Sequence, residues 1–110
     1  MTEYAKGLEG VIANENKISH VNGLDGKLCY AGYSIDDLVE NCTYEEVVYL
    51  LHRGDLPNAE QLKSFSSALA EERGLPTQVI DFLKTAPKDA SPMDVLRTAV
   101  SMLGLYDKNA

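Results

Sequence analysis

The side chains of this chain whose types could do chemistry are His20, His52, Cys29, Cys42, Arg97 and the acidic pairs Asp36-Asp37, Glu45-Glu46 and Glu71-Glu72. An acidic pair could hold a cation or divide into general acid and general base. Neighbouring residues of a helix point about 100° apart, however, and the first two pairs fall in first helical turns, where carboxylates complement the macrodipole. They therefore read as capping groups. His52 falls in the last turn of a helix, where an imidazolium suits the dipole, and His20 has no Asp or Ser that the sequence forces beside it. With no Cys/His ladder near either histidine, a zinc site is not expected. Cys29 and Cys42 lack C-x-x-C spacing and read as buried, reduced thiols. The turn Gly23-Leu24-Asp25-Gly26 precedes a strand and lacks the Lys-Ser/Thr of a phosphate loop. The six tyrosines are too scattered to form a stacking platform for bases. Arg97 is open to two readings: a snorkelling or interhelical ion-pair arginine, or a contact to an anion or partner. No catalytic, substrate-binding, cofactor-binding or metal residue is expected in this chain.

The elements that position these groups are sharply punctuated. From Glu9 to Ala31 the code is strand-like: GVIA, KISHV and KLCYA, separated by Asn14-Glu15-Asn16 and by Asn22 to Gly26. Asn-Gly and Asp-Gly tolerate positive φ, which predicts a small antiparallel hairpin or meander. KISHV has no clean apolar face and is expected at an edge. After Gly32 everything reads as helix. Ser34 and Thr43 each precede an acidic residue at the capping-box position, Asp37 and Glu46, and Asn58 stands in the same relation to Gln61. The first helix, about Ile35 to Cys42, carries Ile35, Leu38, Val39 and Cys42 on one side. The second, Tyr44 to Leu51, is apolar on most sides and is expected to be covered; Gly54 and Pro57 end it. The third sends Leu62, Phe65 and Leu69 inward until Gly74 stops it near the Glu71-Glu72-Arg73 end. The fourth begins at Pro76. The fifth begins at Ser91-Pro92, with Asp94 completing a box and Met93, Leu96, Ala99, Val100 and Leu103 facing inward. The expected architecture is mainly α: a β meander over about 9–31, about five short helices over about 35–104, and one domain spanning 1–110.

The 110 residues carry 17 acidic and 10 basic side chains, a net charge of −7. That field repels phosphate backbones and anionic lipid, so nucleic-acid and membrane partners are not expected. No segment reads as a secretory or transit leader or as a bilayer span, and a cytoplasmic location is expected.

The stretch GYSIDDLVENCTYEEVVYLLHRGDLP, preceded by Gly7-Leu8-Glu9-Gly10-Val11 and Ile18-Ser19-His20-Val21-Asn22-Gly23 and followed by Ser91-Pro92-Met93-Asp94-Val95-Leu96-Arg97-Thr98-Ala99-Val100-Ser101, resembles citrate synthases and 2-methylcitrate synthases. The order and spacing agree over nearly the whole chain. The resemblance implies the amino-terminal part of a longer enzyme that condenses acetyl-CoA or propionyl-CoA with oxaloacetate. In that family an aspartate base and two histidines carry the reaction, in later motifs such as GPLHGG and GHR; neither occurs here, so the resemblance implies no catalytic residue. Acetyl-CoA is then a co-substrate of the parent and no cofactor belongs to this chain; its partners are the remainder of the longer chain and, in the parent, further copies. Two positions depart from the family's pattern: its Arg-x-Arg-Gly-Tyr is Cys29-Tyr30-Ala31-Gly32-Tyr33 here, and the histidine of HPM is Ser91. The alternative is a stand-alone, non-catalytic interaction or regulatory domain built on the same fold segment.

Overall fold

Asn22 organises the first turn: its side-chain oxygen accepts the Asp25 N–H at 3.2 Å and its amide donates to the Asp25 carboxylate at 2.9 Å. Gly26, at φ +63°, closes the turn. This joins β1, Ser19–Asn22, to β2, Lys27–Tyr30, antiparallel with His20 opposite Cys29. β2 then pairs with the short β3, Tyr33–Ser34, across the two-residue connection Ala31-Gly32. Both connecting residues have positive φ, +47° and +88°, the pattern of a type I′ hairpin whose twist matches its strands. The sheet is a three-stranded meander, β1-β2-β3, and β1 is an edge as expected.

This computed structural model describes residues 5–109. The expectation that no segment reads as a leader falls partly outside the described residues, at 1–4. The structure divides into two compact units, Met1–Ala68 and Leu69–Ala110. In the first, the sheet runs directly into α1, Ile35–Asn41, followed by α2, Tyr44–Arg53, and by α3, Ala59–Glu71, which continues through the boundary. α1 lies on β2 and β3, and the Tyr49 and Phe65 rings meet edge to face at 5.3 Å. Leu38 and Leu50 are buried there. In the second unit, α4, Thr77–Thr85, packs on α5, Pro92–Tyr106, burying Val79 and Ala99. Among the described residues the fold is mainly helical, with five α-helices and a small antiparallel sheet, as the sequence predicts.

The helix starts show which capping signals form bonds. Thr43 and Glu46 make a complete box: the Thr43 hydroxyl accepts the Glu46 N–H at 3.4 Å, and the Glu46 carboxylate accepts the Thr43 N–H at 2.6 Å. Asn58 and Gln61 reciprocate in the same way at 2.8 and 2.9 Å. At Ser34 and Ser91 the helices begin where expected, but neither hydroxyl makes a capping bond. The Asp94 carboxylate is held instead by Arg97. Gly54 ends α2 in the left-handed conformation, its N–H donating to the Leu50 carbonyl at 2.8 Å.

Several expectations are corrected. GVIA is not a strand: Gly10 is left-handed and the Val11 N–H closes a turn onto the Leu8 carbonyl, so the segment turns instead of extending; a 3-10 turn at Lys6–Leu8 precedes it. β3 was not anticipated. The last helix continues through Gly104 to Tyr106, because a glycine that keeps negative φ weakens a helix without ending it. α3 ends at Glu71, where the sequence places its end, although Gly74 is not left-handed. Cys29 and Cys42 are free but half-buried, not buried. α2 is covered less than its composition suggests: Leu50 is buried, its other large apolar residues are half-buried, and Tyr44 is 79% exposed. On α5, Ala99 is buried and Val95 and Leu103 are half-buried, whereas Met93, Leu96 and Val100 are open to solvent.

Two substitutions test this local account. Thr43→Ala removes a formed cap and is expected to lower stability by about 1 kcal/mol, whereas Ser34→Ala is expected to cost no more than a few tenths, as compared by urea midpoints. Ala31→Gly relieves a left-handed alanine worth about 1–2 kcal/mol and restores roughly 0.5–1 kcal/mol of unfolded-chain freedom. A net gain of about 0.5 kcal/mol is expected, and a lowered midpoint would contradict the strain at this turn.

Candidate functional site

The side chains that could react are dispersed. His20 is exposed on the edge strand β1, and the register places it beside Cys29, which in turn lies opposite Ser34 on β3. His52 is exposed in the last turn of α2, next to Arg53. Asp36 and Asp37 occupy the first turn of α1, and Glu46 is committed to the cap of α2. Glu71 and Glu72 are exposed where α3 ends. Among the described residues no group of three or more His, Cys, Asp or Glu side chains could hold a metal ion. None of the described helices is long and apolar enough to cross a membrane.

Arg97 is not the interhelical ion-pair arginine that its sequence position suggested. Its guanidinium donates to the Asp94 carboxylate at 2.8 Å, an ion pair one turn apart on the same helix and open to water at both partners. The spacing of Asp94 and Arg97 carried this signal, since residues three apart on a helix are surface neighbours. Reading Asp94 only as a cap obscured it.

What the structure does assemble is apolar surface. α4 and α5 enclose a groove of ≈ 590 Å³ lined by Val79, Leu83, Val95, Leu96, Ala99 and Leu103, among others. A smaller apolar recess of ≈ 230 Å³ lies along α1 and the start of α2, with Leu38, Val39, Cys42, Tyr44 and Val47 on its walls. The first groove also has Lys84 and Lys88 in its lining, and the second has no acidic or basic side chain. Of the first groove, sequence reading had Leu96, Ala99 and Leu103 facing inward but missed Val95 and how α4 meets them.

The described residues thus form a mainly helical stretch with a small sheet, with apolar recesses along α1 and α2 and between α4 and α5. The model of the citrate synthase family described as "Citrate synthase, C-terminal domain" matches residues 7–110, and the chain belongs to that family. It is 47% identical over 106 residues to 2-methylcitrate synthase 2 of Corynebacterium glutamicum, covering 96% of this chain and 28% of that protein. With the citrate synthase of Haloferax volcanii the identity is also 47%, over 98% of this chain and 29% of the relative. Among solved structures, citrate synthase from Thermoplasma acidophilum, crystallised as a ternary complex with carboxymethyl coenzyme A and oxaloacetate, superposes with a TM-score of 0.90 at 26% identity, covering 98% of this chain and 29% of that one. The chain therefore spans about 28% of the length of such relatives. The expectation of an amino-terminal region is not supported, since the matching model carries the description of the C-terminal domain. Motif order inside a stretch cannot report how much chain precedes it.

Because the Arg97–Asp94 pair is exposed, Arg97→Ala is expected to cost no more than about 0.5 kcal/mol, and less in high salt. A loss above about 1 kcal/mol in a urea titration would mean that Arg97 holds something besides Asp94.

Proposed function

We propose that this stretch is a supporting segment of a longer enzyme that condenses acetyl-CoA or propionyl-CoA with oxaloacetate, giving citrate or 2-methylcitrate and free CoA. Family membership supports the reaction class, and similarity of equal degree to a 2-methylcitrate synthase and a citrate synthase leaves both acyl groups within it. The observation that carries the supporting role is the contrast within the chain: apolar faces stand open while the ionisable side chains are dispersed or engaged in caps and an intrahelical pair. Such a reaction needs a base to remove a proton from the acyl methyl or methylene group and fixed donors to stabilise the resulting enol and polarise the oxo-acid carbonyl. In this reading those groups lie in other parts of the longer chain, and no residue of 1–110 is catalytic, substrate-binding or metal-binding. The segment's partners are that remaining chain and, in the complete enzyme, further copies of it. Acetyl-CoA is a co-substrate, no separate cofactor is held here, and the enzyme works in the cytoplasm without nucleic-acid or membrane partners.

The full-length protein is expected to release CoA thiol when given acetyl-CoA or propionyl-CoA with oxaloacetate, followed with a thiol-reactive chromophore, and residues 1–110 alone are expected to release none. Turnover by the short chain would overturn the supporting role. A full-length protein that binds neither substrate would shift the reading to a non-catalytic interaction domain. We further propose that 1–110 behaves as one domain inside the longer protein. Hydrogen exchange should then show similar opening free energies for α2 and for α5, and a difference of several kcal/mol would divide them.

A further inference from the structure

No further inference is drawn: the strongest candidate, the apolar groove between α4 and α5 with Met93, Leu96 and Val100 exposed on the same helix, is an unpartnered face, and nothing in the structure shows what covers it.

Discussion

Burial of apolar surface is begun in this chain and left incomplete, and the remaining features follow from that. On α1, Leu38 is 2% exposed while Val39, its immediate neighbour, is 75% exposed. Both belong to the apolar side that the helical period groups together, so the stripe is wide enough to touch two surfaces and meets one. The same holds on α5, where Ala99 is buried and Val100 is not. Each large aliphatic side chain left in water forgoes roughly 1.5–3 kcal/mol of burial, and contiguous exposed apolar patches on a self-sufficient protein are normally small. On the proposed reading, a chain that spans about 28% of its relatives' length and shows such faces is completed by other surface.

Local structure in this chain does not wait for that completion. The sheet is set by turns: Asn22 with Asp25, and the paired positive φ values of Ala31 and Gly32. The Thr43–Glu46 and Asn58–Gln61 boxes satisfy backbone donors that would otherwise be orphaned at helix starts. These devices act over three or four residues, which is why the second and third helices, the meander and the edge position of β1 could be read from the sequence. Ser34 and Ser91 show the limit of such reading. The residue type and spacing were right and the helices start there, yet neither hydroxyl turns toward the backbone. A cap motif states an available bond, not a formed one: at Ser91 the Asp94 N–H donates to the Ser91 carbonyl at 3.0 Å, not to the hydroxyl.

What was not legible shares one physical cause. GVIA has the composition of a strand, but a strand exists only with a partner, and Gly10 in the left-handed region sends the chain into a turn before it can find one. The apolar residues of α5 were assigned inward as a set, whereas the neighbouring α4 covers only the side that holds Ala99. Periodicity identifies residues that ought to be buried and is silent on which neighbour buries them. The two cysteines illustrate the same gap, being free as expected but only half-buried. As for the site, the dispersal of His20 and His52 was readable from their separation, and the intrahelical use of Arg97 was readable from its spacing to Asp94.

Charge supplies the last constraint on how such a segment can serve an enzyme of anionic substrates. With a net charge of −7 it opposes the approach of an acyl-CoA or a dicarboxylate. At physiological ionic strength exposed charges are largely screened beyond about 8 Å, so that opposition matters only for surface close to the bound anion. Arg97, set in a helix otherwise suited to packing, already spends its charge on Asp94, and the departure from the family's Arg-x-Arg-Gly-Tyr leaves Cys29 and Ala31 where two more positive groups would have stood at the hairpin. This charge balance agrees with the proposed enzyme, in which the cations that hold the substrates lie outside this stretch.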